Sequence, residues 1–118
     1  MSRKLQNYLR TYRKRAGFSQ DEVAFLLGCQ SGTKVSRYER LNRKPSLETA
    51  FAYEAIFGAP GRELFAGAFQ KVEEKTKIRA QLLARELAEG KQDRITLGKI
   101  KTLQSIASGS GIELPKRS

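Results

Sequence analysis

Two cations three residues apart, Lys34 and Arg37, stand among small polar residues in the run Ser31-Gly32-Thr33-Lys34-Val35-Ser36-Arg37-Tyr38-Glu39. N–H donors of this kind suit partners rich in acceptors. Guanine O6 and N7 accept from Arg or Lys, and one good bidentate pair is worth about 1–3 kcal/mol of discrimination. Thr33 offers a methyl to thymine and a hydroxyl to a base or phosphate, Ser36 adds another hydroxyl, and Gly32 lets a backbone approach closely. Bond-making chemistry finds no such support. The 118 residues contain no His and a single Cys, with no phosphate loop and no carboxylate pair at a plausible cleft position. The chain is therefore expected to be no enzyme, with no catalytic residue. One thiol cannot assemble a metal site, so no metal and no cofactor are expected.

For those side chains to act together, an element must hold them on one face. Val35 and Tyr38 are the apolar positions of a short helix capped by Ser31, which leaves Gly32, Thr33, Lys34, Ser36 and Arg37 pointing outward. The preceding helix starts at Ser19, with Glu22 three residues on in capping-box spacing. Its apolar face is Val23, Ala24 and Leu27 with Leu26 beside them, and Gly28 ends it. Cys29, just past that glycine, is expected to plug the turn as a small buried hydrophobe. Two short helices, a tight turn and a cationic outer face together fit a helix-turn-helix that reads DNA.

The flanking segments supply the rest of a small all-α domain. Leu5, Leu9, Tyr12 and Ala16 form a helical stripe over residues 3–16, opposite Arg3, Lys4, Arg10, Lys14 and Arg15. Gly17 stops it, and Phe18 is placed to staple onto Val23. Residues 40–45 read as loop, with Asn42 the expected left-handed residue. Ser46 caps a helix whose core face is expected to be Leu47, Ala50, Phe51 and Ala55, broadened by Ala52 and Ile56. Gly58 and Pro60 end it, and a short helix over Arg62–Phe65 closes the bundle. Beyond lies one long helix from Ala66 to Gly90 with a seam of Phe65, Phe69, Val72, Thr76, Ala80, Leu83 and Leu87, close to heptad spacing. After the polar break at 91–93, a shorter helix runs through Leu97, Ile100, Leu103, Ile106 and Ala107. The expected division is 1–66 for the DNA-binding domain, 67–108 for a helical hairpin and 109–118 for a flexible tail.

Charge agrees with this reading. The net charge is +11, and residues 1–44 carry 11 Lys/Arg against Asp21, Glu22 and Glu39, so +8 of it sits there. Such a balance favours polyanionic partners. No apolar run approaches the roughly 18 residues of a membrane span, so a cytoplasmic chain is expected, with no membrane partner.

The order of these signals resembles the phage-repressor family of helix-turn-helix domains (lambda-repressor/Cro type, Xre-like). The residues that carry the likeness are Leu9-Arg10-x-x-Arg13, Gly17-Phe18-Ser19-Gln20-x-Glu22-Val23-Ala24-x-x-Leu27-Gly28, Val35-Ser36-Arg37-Tyr38-Glu39, Pro45-Ser46-Leu47-Glu48-Thr49 and Leu64-Phe65. The resemblance implies a five-helix domain, phosphate contact at Gln20 with Ser19 beside it, and a structural ion pair between Arg13 and Glu39. It also implies that Asn42, Arg43 and Lys44 hold a phosphate across the groove. The chain departs from the family pattern twice. It has one extra residue between Gly28 and Val35, and Leu41 stands where glycine is usual.

The function expected on these grounds is sequence-specific transcriptional regulation, by a dimeric repressor that reads double-stranded DNA with residues 31–40. Helix-turn-helix proteins commonly bind paired half-sites as dimers. The hairpin at 67–107 would then serve as the homodimer or protein-partner surface, unless it folds back in cis. The alternative is an antitoxin-type protein whose C-terminal helices bind a toxin while its N-terminal domain autoregulates the operon. Membrane-surface binding by residues 66–107 fits poorly with nine basic and five acidic residues there.

Overall fold

Most helix starts fall where a side chain takes up a free backbone N–H, and most ends fall where glycine can adopt the left-handed conformation. The structure, a computed structural model, describes residues 7–109. Its helices are α1 (Leu9–Ala16), α2 (Gln20–Leu27), α3 (Gly32–Glu39), α4 (Leu47–Phe57), α5 (Gly61–Leu64), α6 (Ala66–Ala88) and α7 (Arg94–Ser108), with no strand among the described residues. Two compact units divide the chain between Gln70 and Lys71. The expected flexible tail lies outside the described residues, except for Gly109.

In the first unit, Ser19 and Glu22 form the full capping box of α2, Ser19 Oγ accepting from the Glu22 N–H at 3.0 Å and Glu22 Oε1 from the Ser19 N–H at 2.8 Å. Gly17, Gly28 and Gly58 close α1, α2 and α4 with φ of 81°, 78° and 64°. Helix α1 starts later than expected. Asn7 and Tyr8 are not helical, because Asn7 Oδ1 accepts from the Leu9 N–H at 3.2 Å while the Tyr8 N–H donates to the Leu64 carbonyl at 2.8 Å. The expected helical residues 3–6 lie outside the described residues.

The core joins Leu9, Val23, Ala24, Val35, Tyr38, Tyr53, Ala59 and Leu64, with Phe18 and Cys29 packed against it; Cys29 is half-buried, less than the expected full burial. Leu26, by contrast, is largely exposed, as is its neighbour Phe25. Tyr53 is the hub, in edge contact with Tyr38 (centroids 6.2 Å apart) and Phe65 (6.0 Å) and stacked on Phe57 (6.0 Å). The expected core face of α4 is therefore corrected. Leu47, Phe51 and Ala55 are exposed, whereas Tyr53 is buried and Ala50, Ile56 and Phe57 are half-buried. Helix α4 is apolar nearly all round, so spacing alone does not choose a face, and the aromatic cluster decides it. Tyr12 is tied to α5 through its hydroxyl, which donates to the Glu63 carboxylate.

A second correction concerns the end of α3. Leu41, not Asn42, takes the left-handed conformation, with φ 64°. The Leu41 N–H donates to the Tyr38 carbonyl (3.2 Å) and the Asn42 N–H to the Arg37 carbonyl (2.9 Å), the paired bonds of a Schellman ending. A leucine there bears a steric penalty that a glycine would not, of roughly 1–2 kcal/mol.

In the second unit the expected break at 91–93 is present. The Gln92 amide nitrogen lies 3.0, 3.1 and 2.7 Å from the carbonyls of Leu87, Ala88 and Gly90, and Asp93 Oδ1 caps α7 by accepting from the Thr96 N–H at 2.8 Å. The expected α6 seam is only partly buried. Ala80 is buried and Leu87 half-buried, but Val72, Thr76 and Leu83 are exposed, while Glu73, Lys77 and Ala84 are half-buried instead. Ile100, Leu103, Ile106 and Ala107 of α7 are half-buried as well, and Leu97 is exposed.

Candidate nucleic-acid interface

Thr33, Lys34 and Arg37 all lie exposed on α3, and Ser36 is half-buried between them and α2. Val35 and Tyr38, on the opposite side, are in the core. Packing thus fixes which face of α3 is turned outward. Ser31 caps the helix, its Oγ accepting from the Thr33 N–H at 3.4 Å. Gly32 departs from the expectation that it faces outward. It is buried, and its N–H donates to Asp21 Oδ1 at 2.8 Å. Its lack of a side chain serves contact with α2, not contact with a partner outside.

The Arg13–Glu39 pair holds α1 to α3. Arg13 Nε donates to Glu39 Oε2 at 2.6 Å and Nη2 to Oε1 at 3.1 Å, with both side chains at most 10% exposed. Its third arm, Nη1, donates to the Phe18 carbonyl at 3.1 Å, just ahead of α2. The hydrogen bond it donates to the Glu39 carboxylate raises the guanidinium pKa, against the opposing effect of desolvation. One guanidinium therefore fixes the end of α1, the approach to α2 and the last turn of α3.

Gln20 is half-buried at the first position of α2, and Ser19 is exposed at its cap. The Gln20 amide nitrogen donates to Glu39 Oε1 at 3.2 Å. One of its two N–H groups is thereby engaged within the protein, and the other stays available as a donor. A cleft of about 610 Å³ brings Ser19 and Gln20 together with Ser36, Arg10 and Arg40. A neighbouring cleft of about 420 Å³ is shared by Gln20, Ser36, Arg40, Ser31 and Thr33. The start of α2 and the α3 residues Thr33 and Ser36 thus border adjoining hollows, Arg40 and Asp21 lining both and Arg10 the first. Asn42, Arg43 and Lys44 are exposed on the loop that follows α3.

Arg10 belongs to the basic face of α1 that the sequence already suggests lies beside phosphates, and Arg40 closes the 31–40 segment, but neither stands out individually; Arg40 reads as the first loop residue, although it lies four positions after Ser36, on the same side of α3 as that helix ends. Asp21 was missed as well, because an acid in the first turn of a helix is ordinarily explained by the helix dipole alone.

Residues 9–64 match the family model described as helix-turn-helix. That stretch is a helix-turn-helix domain of the Xre/lambda-repressor-like kind, which supports a DNA-binding transcription regulator. No curated protein and no solved structure matches the sequence. Among the described residues no helix is long and apolar enough to cross a membrane.

Proposed function

We propose that this chain is a sequence-specific repressor that enters the major groove with α3 and binds paired half-sites as a dimer. Thr33, Lys34, Ser36 and Arg37 read base edges. Ser19, Gln20, Asn42, Arg43 and Lys44 hold phosphates, joined by Arg10 and Arg40. The observation that carries this reading is the common cleft. It sets Ser19 and Gln20, at the start of α2, beside Thr33 and Ser36 of α3 and Arg40 at its end, so a backbone lying along it would meet the α2 N-terminus while α3 faces the groove. The second unit supplies the dimer contact, because its helices leave Ile78, Leu82, Ile95 and Leu97 more than half exposed.

The same apolar surface also supports a second reading, in which it holds a different protein and the chain acts as an antitoxin that autoregulates its operon. Selection of bound sequences from random duplexes at two salt concentrations tests the first reading. A consensus with dyad symmetry supports a dimeric reader. Binding that is uniform across sequences and falls steeply with salt overturns it. Stable co-purification of a small partner from the native host favours the antitoxin.

A further inference from the structure

Helix α3 begins on top of α2, and one contact fixes where. The Gly32 N–H is among the donors at a helix start that have no intrahelical partner. It is satisfied by Asp21 Oδ1 at 2.8 Å. A Cβ at residue 32 would lie 2.7 Å from that oxygen, 2.9 Å from the Gln20 Cβ and 3.1 Å from the Asp21 backbone nitrogen. Only a hydrogen fits there. The turn before α3 is pinned at its near end, where the Cys29 N–H donates to the Ala24 carbonyl at 2.8 Å, and the helix is pinned further on by buried Val35. Between those points Gln30 and Ser31 are exposed, so the Asp21–Gly32 tie is the contact that locates the first turn.

We infer that Asp21 is a positioning residue for base reading. Its carboxylate grips the backbone of Gly32 and thereby sets the depth at which α3 presents Thr33, Lys34 and Arg37. The inference rests on the proposal that α3 is the reading helix. Bidentate contacts need their donors held to within about 0.5 Å, so a first turn freed from α2 loses discrimination before it loses attraction. Asp21 also borders both clefts, where it adds a negative charge beside Arg40. It therefore opposes phosphate binding wherever the protein sits on DNA and favours binding only where α3 finds its sequence. Both effects raise the ratio of specific to nonspecific affinity.

The two effects separate by substitution in the full-length chain. Asp21→Asn keeps an oxygen that can accept from the Gly32 N–H and removes the charge, whereas Asp21→Ala removes both. The measurements are affinity for a selected duplex and for its scrambled counterpart at one salt concentration, with melting temperature and the Gly32 amide resonance. The expected result for Asp21→Ala is a loss of about tenfold on the selected duplex, equivalent to roughly 1.4 kcal/mol. Scrambled-duplex affinity should be equal or higher, and the melting temperature close to that of the unmodified chain. Asp21→Asn should stay within about threefold on the selected duplex, and Gly32→Ala should lose at least as much as Asp21→Ala. Equal losses for the Asn and Ala variants would overturn acceptance from the Gly32 N–H as the source of the effect, and retention by both would remove the positioning role. An unmodified chain that fails to distinguish the duplexes defeats the reading-helix proposal itself. A Gly32 amide resonance unmoved by Asp21→Ala defeats the tie alone.

Discussion

The two units are built from the same kind of helix but bury very different amounts of it. In the first, Leu9, Val23, Val35, Tyr53 and Leu64 are each less than 2% exposed, and short helices of four to eleven residues are stable because they share that core. In the second, α7 and the stretch of α6 from Lys71 onward contribute one buried side chain, Ala80, among the described residues. Its definition comes from local devices, namely the Gln92 amide among three carbonyls, the Asp93 cap and the Lys77–Glu73 pair at 3.8 Å. Such devices contribute tenths of a kcal/mol to about 1 kcal/mol each. The contrast teaches that length is no measure of burial: the short helices share one core, and the long ones leave most of their apolar side chains exposed or half-buried.

The sharpest way to break the contrast is at the ion pair. Arg13→Ala leaves Glu39 buried without its cation and should cost about 3–5 kcal/mol, seen as a large fall in melting temperature with DNA binding lost in consequence. Arg37→Ala should abolish sequence preference with the melting temperature intact. Comparable melting losses in both variants would mean that the outer face of α3 also supports the fold.

Next come apolar truncations in each unit. Leu64→Ala should cost about 2–5 kcal/mol at any protein concentration. Leu82→Ala should cost less than about 0.5 kcal/mol in an isolated protomer. If the hairpin closes on a second copy, its effect should grow, with melting that depends on concentration and a shift toward monomer in sedimentation.

A smaller effect has the opposite sign. The Tyr53 hydroxyl is buried with no hydrogen-bond partner among the described residues, and burial raises its pKa above the ordinary 10, with help from Glu39. Tyr53→Phe should therefore stabilise the first unit by about 1 kcal/mol in chemical denaturation. A phenol whose folded pKa is raised contributes stability that is present below pH 10 and lost as pH climbs past it. The substitution should accordingly flatten the alkaline limb of the stability curve.

The mildest test concerns α7. Hydrogen bonds from Thr96, its backbone N–H foremost, lower the Asp93 pKa. A depressed carboxylate contributes stability that is present above its ordinary value near 4 and lost as pH falls below it. Helicity of α7 should thus fray with acid in the native chain and be insensitive to that range in Asp93→Asn.

Caps and turns were the most legible part of the sequence. Ser19, Ser31, Ser46, Gly17, Gly28 and Gly58 act through their own backbone neighbours, so spacing alone locates them. The face of α4 was not legible, since an all-round apolar helix is oriented by what it meets, and Tyr53 meets three rings. Leu41 was misread for a related reason. Local preference favours Asn42 in a left-handed position, but the length of α3, fixed by Val35, Tyr38 and Glu39, puts Leu41 there. Gly32 shows the same limit at the candidate site. A glycine signals closeness to something, and only the fold shows that here it is Gln20 and Asp21.

Asn7 has a practical corollary. Its amide oxygen holds the first N–H of α1 while its amide nitrogen donates to the Tyr38 carbonyl at 3.1 Å. A single amide thus clasps the start of α1 to the last turn of α3, and an engineered change at residue 7 would slacken both ends together.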